Sequence, residues 1–243
     1  AAALLRSSAY TTALTGAGVS TPSGIPDFRS PEAGLWSQVD PLMVASIWAF
    51  HERPAAFYRW FRPLYRLCRA ARPNAAHRVL AAMEVQGSLQ TLITQNMDSL
   101  HQQAGNRHVL EVHGNCQTAT CLGCGLVVAG PPLWDVLHED SLPPRCASCG
   151  ELVKPDVVLF GEPVSYEVLR DAQQEALRSE VMLVVGTSLE VMPAADLPPL
   201  ARRRGARTIL INRSPTAAEA SFDVVIHADV EGALAALWQR MRI

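Results

Sequence analysis

Short apolar runs, many of them β-branched, alternate along this chain with longer segments whose apolar residues return every three or four positions. The runs Tyr10 to Leu14, Leu89 to Thr94, Val109 to Val112, Val157 to Phe160, Val181 to Val185, Thr208 to Ile211 and Val224 to Ile226 are bounded by turn residues and predict strands. Between them, Ala75 to Glu84, Tyr166 to Ser179, Pro193 to Arg204 and Val230 to Arg242 carry helical periodicity. This alternation predicts an α/β fold, a Rossmann-like parallel sheet covered on both faces by helices. Two stretches break the rhythm. Residues 31–73 are aromatic and Arg-rich with several prolines, and predict a helical insertion; residues 116–152 carry paired cysteines and predict a metal-binding module. The expected organisation is therefore a sheet domain from 1–30, 74–115 and 153–243, with 31–73 and 116–152 forming a smaller lobe. Ligands of such folds bind at the carboxyl ends of the strands, here in the cleft beside that lobe.

Composition narrows the class without naming it. A chain of 243 residues with 49% apolar character can bury a substantial core. The longest apolar runs, such as Val181 to Val185, are too short to span a bilayer, and the N-terminus lacks a basic region followed by a signal-type apolar stretch, so a cytoplasmic protein without a membrane partner is expected. A net charge of −2 gives no bulk attraction to nucleic acid. Lys154 is the only lysine, and Arg59, Arg62, Arg66, Arg69 and Arg72 recur at helical spacing as a solvated helix face does. The oligomeric state leaves no mark in the sequence.

The cysteines are more specific. Cys121-Leu122-Gly123-Cys124 and Cys146-Ala147-Ser148-Cys149 have zinc-ribbon spacing: each CxxC turn aims two sulfurs at one ion, and glycine relaxes the first knuckle. Disulfides are disfavoured in a cytosolic chain, and a redox CxxC does not require two copies. Four thiolates leave zinc no open position, so its role is folding rather than chemistry. Cys68 and Cys116 stand outside the pairs.

Candidate chemistry begins after the first strand, where Gly16 and Gly18 suit a tight turn or a close backbone approach to phosphate. The third glycine of the dehydrogenase fingerprint is replaced by Thr21, and no acidic residue ends a second strand about twenty residues on, which argues against an ordinary nicotinamide oxidoreductase. Taken alone, GxG is equally a glycine turn between strand and helix. Gly24-Ile25-Pro26-Asp27-Phe28-Arg29 then places a rigid proline, a carboxylate, an aromatic ring and a guanidinium within six residues, more than a turn needs. After the second strand come Gln95-Asn96-Met97-Asp98; Asp98 alone could be a helix N-cap, but beside Gln95, Asn96 and His101 it belongs to a dense polar cluster. His113 ends a short strand before Gly114, and an imidazole titrating near neutrality is a ready general base. The other histidines, His77 among them, lack such company, except that His101 supports the Asp98 loop.

GAGVSTPSGIPDFR (from Gly16), TQNMDSLHQQAG (from Thr94), EVHG (from Glu111), the two CxxC pairs, VVLFGE (from Val157) and GTSLEVMPAADLP (from Gly186) follow one another in an order that resembles the sirtuins, NAD-dependent protein deacylases, from about Thr12 to the C-terminus. The resemblance implies NAD as cofactor, one structural zinc ion and acyl-lysine proteins or peptides as partners. It implies that Asn96 orients the nicotinamide-side ribose and a water, that Asp98 and Met97 hold the carboxamide, and that Asp27, Phe28 and Arg29 shape the nicotinamide pocket. Gly16, Ala17, Gly18, Ser20 and Gln95 would line the pyrophosphate approach, and Gly186, Thr187, Ser188, Asn212 and Val230 the adenosine. Met97 stands where relatives carry isoleucine. In the reaction so implied, the acyl-lysine carbonyl oxygen attacks the ribose as nicotinamide departs, and His113 activates a ribose hydroxyl to complete acyl transfer.

Val158, Phe160, Gly161, Glu162 and Leu189 would sandwich the peptide as an added strand; as plain strand residues Val158 and Phe160 need no function. Desuccinylating relatives carry Tyr and, three positions on, Arg; here Tyr58 is followed at that spacing by Phe61, which favours an uncharged acyl group. The alternatives are an ADP-ribosyltransferase or NAD hydrolase on the same scaffold, and a non-catalytic NAD-binding module, against which intact Asn96, Asp98 and His113 argue.

Overall fold

The structure, a computed structural model, describes residues 1–28, 30, 34–37 and 39–242. Its strands, numbered in chain order, are β1 (Thr11–Thr15), β2 (Thr91–Thr94), β3 (Val109–Glu111), β4 (Gly114–Cys121), β5 (Val127–Ala129), β6 (Val153–Val157), β7 (Val181–Val185), β8 (Arg207–Asn212) and β9 (Val224–His227). Contacts divide the chain into two compact units, one of residues 1–24, 72–112 and 164–243, the other of residues 25–71 and 113–163.

In the larger unit six strands form a parallel sheet in the order β3-β2-β1-β7-β8-β9. Successive side chains of a strand point to opposite faces, so each apolar run feeds two cores. Ala13, Leu92, Leu183, Ile209 and Ile211 meet Leu80 and Met83 of helix Ala75–Val85 and Leu234 and Leu237 of helix Val230–Met241. Leu14, Ile93, Met182, Val184 and Leu210 meet Ala172 and Ala176 of helix Tyr166–Arg178 and Leu197 and Ala201 of helix Leu197–Arg203. Helix cover on both faces is what makes β1 and β7 buried at every position. Strand order reverses between β1 and β7, the arrangement that opens a crevice at the carboxyl ends of those two strands.

One expected strand is displaced. The run Val157 to Phe160 is not part of the parallel sheet; the strand there is β6, Val153–Val157, which pairs antiparallel with β4 in a separate sheet of order β5-β4-β6. Pro155 has no N–H to give a ladder and is tolerated because β6 is an edge. Beyond Val157 the chain turns, with the N–H of Glu162 donating to the Leu159 carbonyl at 3.0 Å. The predicted helix Pro193 to Arg204 likewise opens as a 3-10 turn, Ala194–Asp196, before the α-helix that carries Pro198 and Pro199 in its first turn.

The smaller unit contains helices Pro41–Val44, Ile47–Glu52 and Pro54–Ala70 beside that antiparallel sheet. Along Pro54–Ala70 the buried positions are Phe57, Tyr58, Phe61, Leu64, Tyr65 and Cys68, a helical stripe, while Arg59, Arg66 and Arg69 are exposed. Phe61 and Tyr65 pack on Trp134, whose indole N–H donates to the Cys116 carbonyl at 2.9 Å, and the Tyr58 hydroxyl donates to the Val153 carbonyl. Among the described residues no helix is long and apolar enough to cross a membrane. Replacing Trp134 by alanine removes the centre of this aromatic cluster and the indole N–H donor to the Cys116 carbonyl; a loss of about 4 kcal/mol is expected, read as a lowered denaturant midpoint.

Candidate active site

The carboxyl edge of the parallel sheet is built around three glycines. The Gly16 N–H donates to the Val185 carbonyl at 3.1 Å and the Gly18 N–H to the Gly186 carbonyl at 2.8 Å, so the loop after β1 lies directly on the loop after β7. A Cβ on Gly18 would fall 2.9 Å from the Gly186 backbone, and one on Gly186, whose φ is +62°, would fall 2.5 Å from the Val19 nitrogen. Only glycine allows this approach. Two short 3-10 turns, Ala17–Val19 and Thr21–Ser23, then lead to Gly24.

Behind the loop lies a buried polar network that the sequence only half revealed. Asn74 caps helix Ala75–Val85, and its own N–H donates to His77 Nδ1 at 3.3 Å. With Nδ1 as acceptor, the neutral ring carries its proton on Nε2, which faces Ser20 Oγ at 3.5 Å. Ser20 Oγ in turn donates to Asp98 Oδ2 at 2.6 Å and accepts from Asn96 Nδ2 at 3.1 Å. Asn96 Nδ2 also donates to the Gly16 carbonyl at 3.1 Å, which leaves the Asn96 carbonyl oxygen as the acceptor this side chain presents. Asp98 Oδ1 accepts the Leu100 N–H at 2.9 Å.

A second branch supports the same loop: His101 Nε2 meets Thr15 Oγ1 at 3.0 Å, Thr15 donates to Thr94 Oγ1 at 2.9 Å, and Thr94 accepts the Asn96 N–H at 3.1 Å. Burial, aided by the Arg78 charge, pulls His77 down to about 4, and burial with His77 alongside holds His101 well below its usual range, so both rings are neutral. Burial pushes the Asp98 carboxyl up, against the Ser20 and Leu100 donors. His77 and Asn74 were missed as site residues; the Asn-x-x-His spacing at a helix start was their only signal.

The remaining candidates of this unit occupy the same edge. Gln95 Nε2 donates to Thr187 Oγ1 at 3.0 Å, and Thr187 Oγ1 accepts the N–H of Leu189, which has a left-handed backbone at φ 58°. Met97 and Ser188 are half-buried in the loops after β2 and β7. Asn212 ends β8 and donates to the Ser214 carbonyl at 2.8 Å. Val230 begins a helix capped by Asp229, but its side chain belongs to the core.

In the smaller unit Asp27 accepts the Ser30 N–H at 2.7 Å, closing the turn that contains the half-buried Phe28. Arg29 lies outside the described residues. The His113 carbonyl accepts the Val158 N–H at 2.9 Å, so the candidate base is joined to the segment proposed for the peptide. Phe160 is held on one side by Ala45 and Ile47, through its N–H (2.9 Å) and its carbonyl (3.0 Å) respectively. Glu162 is an anchor: its Oε2 lies 3.0 Å from Lys154 Nζ and accepts the Leu159 N–H at 2.8 Å. Lys154 is buried, and Nζ also donates to the Pro155 and Val157 carbonyls at 3.1 and 2.8 Å, which uses all three ammonium protons.

The four paired cysteines converge. Their sulfurs all lie within 4.8 Å of one another, with Cys121 and Cys149 at 3.4 Å and Cys124 and Cys146 at 3.8 Å. Tetrahedral zinc with bonds of about 2.3 Å requires sulfurs about 3.8 Å apart, so the set fits one ion. The N–H groups of Cys124 and Gly123 point at Cys121 Sγ and favour its thiolate, while the crowding of the other sulfurs pushes the Cys149 thiol up, a repulsion that one shared cation relieves.

A Rossmann-like sheet with a glycine loop seated at its strand-order reversal, an amide-carboxylate network behind it and a separate four-cysteine module define a class of nucleotide-binding enzyme with a zinc ribbon. Residues 16–193 match the model of the Sir2 family, and the chain belongs to that family. It is 42% identical over its whole length to NAD-dependent protein deacetylase 2 of Caldanaerobacter subterraneus subsp. tengcongensis, covering 95% of that protein. It is 45% identical, over 96% of its length and 90% of the relative, to the NAD-dependent protein deacetylase of Caldivirga maquilingensis. Among solved structures it resembles one described under the mechanism and regulation of Sir2 enzymes (TM-score 0.93, 40% identity, 99% of this chain and 96% of the other). It also resembles Sir2Tm bound to a propionylated peptide (TM-score 0.89, 36% identity, 98% and 95%).

Three outcomes follow from this geometry. Between about pH 4 and 6.5 the unfolded chain binds a proton at residue 77 that the folded chain does not, so stability drops as pH falls through that window, by up to about 3 kcal/mol. Asp98, raised by burial, acts in the opposite sense. Melting temperatures from pH 7 to 4.5 should fall less steeply in His77→Gln than in the parent. Cys146→Ser is expected to abolish zinc retention, measured by metal analysis, and to melt the small sheet first. Lys154→Met leaves Glu162 partly buried without its cation and should cost about 3 kcal/mol, part of which the double change Lys154→Met, Glu162→Leu recovers.

Proposed function

We propose that this protein is an NAD-dependent protein-lysine deacylase that moves the acyl group from lysine to ADP-ribose and releases nicotinamide. The observation that carries this over an NAD hydrolase is the bond between the His113 carbonyl and the Val158 N–H, which joins the proton-accepting residue to a segment with an open backbone edge suited to a peptide. The residues present fit NAD, because the Gly16, Gly18 and Gly186 approach leaves no room for a Cβ and keeps backbone at the strand ends where a pyrophosphate sits. When bound, NAD supplies a ribose carbon activated by a leaving nicotinamide.

The chain's own residues do the rest. Gly16, Ala17, Gly18, Ser20 and Gln95 line the phosphate side; Gly186, Thr187, Ser188 and Asn212 receive the adenosine, with Val230 contributing backbone only. Asn96 presents its carbonyl oxygen because both hydrogens of its amide are committed, and Asp98, with Met97, holds the carboxamide. Asp27, Phe28 and Arg29 cover the nicotinamide side. His113 takes the proton of a ribose hydroxyl, which makes that oxygen nucleophilic toward the transferring acyl carbon. Val158, Phe160 and Gly161 receive the peptide, and Glu162 braces them through Lys154; Leu189 is the larger unit's candidate for peptide contact. Tyr58 is buried with its hydroxyl given to Val153, and Phe61 stands beside it in the core, which supports acetyl or another uncharged acyl group over succinyl. Four cysteine thiolates persist in a reducing cytoplasm, the location this reading carries.

Nicotinamide release from NAD should require an acetyl-lysine peptide, and its steady-state rate should fall at least a hundredfold in His113→Ala, because His113 acts after the first nicotinamide has left and its loss stalls the turnover that follows. Release without peptide would favour the hydrolase, and ADP-ribose left on protein the transferase. Phe160→Ala should raise the KM for peptide while leaving that for NAD unchanged.

A further inference from the structure

Trp48 is exposed, 61% accessible, although it stands on a helix tied to the 158–162 segment. It lies on helix Ile47–Glu52, whose N–H at Ile47 donates to the Phe160 carbonyl, and the Phe160 N–H donates to the Ala45 carbonyl. These bonds hold the start of the helix against the 158–162 segment. The benzo edge of Trp48 rests on Gly161: a Cβ there would come within 2.4 Å of Cη2 and 2.8 Å of Cζ3. The benzo end of the indole is thus backed by the Gly161 backbone while the residue as a whole stays 61% accessible.

Gly161 completes the arrangement. Among the described residues neither its N–H nor its carbonyl takes part in a hydrogen bond, although the N–H groups of its neighbours Phe160 and Glu162 are both engaged. A strand that pairs with this open edge carries a side chain past the indole, because side chains of an added strand stand on the flanks of the residues they pair with. Glu52 follows Trp48 by four residues on the same helix face and is exposed, one turn away. An aromatic face with a carboxylate beside it attracts a cation.

We propose that Trp48, with Glu52, forms a subsite that selects acyl-lysine peptides bearing an arginine or lysine within two residues of the acyl-lysine. This rests on the reading of 158–162 as the peptide platform. The side chain of the substrate lies over the indole, its charge toward Glu52, and a glutamate at the same peptide position is disfavoured by Glu52 and gains nothing from the ring. Trp48 acts on selection between peptides, through KM rather than the bond-making step.

The test uses the full chain with NAD and acetyl-lysine peptides that carry Arg, Ala or Glu at each of the two positions on either side of the acyl-lysine. At one position the parent protein should prefer Arg over Glu in kcat/KM by about tenfold, with the difference in KM. In Trp48→Ala that ratio should shrink about two- to fivefold, Trp48→Phe should retain part of it, and Glu52→Gln should reduce it further at low salt than at high salt. An Arg-to-Glu ratio that is flat at all four positions, or unchanged in Trp48→Ala, overturns the subsite. Phe160→Ala separates the two readings: if it raises peptide KM while Trp48→Ala leaves the ratio unchanged, the platform stands and the subsite fails; if neither changes peptide KM, both fail.

Discussion

The close approach of the Gly16–Gly18 loop to Gly186 is the constraint on which the larger unit's site depends. Two backbone hydrogen bonds fix the loops after β1 and β7 to each other at the place where strand order reverses, and the contact is too tight for any side chain. Because the loops are in register, Ser20 falls opposite Asp98 and Asn96, and a hydrogen-bond network closes between elements that are far apart in sequence.

That network shows how a helix cap can set the polarity of a site. A backbone N–H at Asn74 determines the tautomer of His77, His77 leaves the Ser20 proton nowhere to go but Asp98, and the Asn96 amide then has both hydrogens spoken for. Each donor in the series removes one alternative from the next. The cost is two neutral imidazoles and a carboxyl group buried together, and their shifted proton affinities follow from that burial. In the smaller unit the single lysine plays a comparable part, with three acceptors closing the turn that follows β6.

The site was legible in the sequence to different depths. The four-cysteine set could be read because CxxC geometry is local, and its sulfurs lie where one ion needs them. The glycine loop and the Gln95 to Asp98 cluster were legible because each follows a strand directly. His77 was not, because its importance arises only when helix Ala75–Val85 packs its first turn beside Ser20. Glu162 could be named only as part of the 158–162 segment, because its partners, Lys154 and the Leu159 N–H, are fixed by the turn that follows β6. The strand at Val157 to Phe160 was placed in the wrong sheet because an apolar run of four residues has the same appearance in any sheet.

The sequence by itself determined the alternation of strands and helices, the doubly covered sheet and the metal module, since these follow from periodicity and from short-range spacing that no distant residue can alter. Tertiary structure alone decided which hydroxyl met which carboxylate, which glycine the Trp48 indole packed on and which helix start the Phe160 backbone bonded to. Those features depend on elements more than fifty residues apart being brought within hydrogen-bond distance, and pairing at that range is fixed by packing rather than by any local pattern of residues.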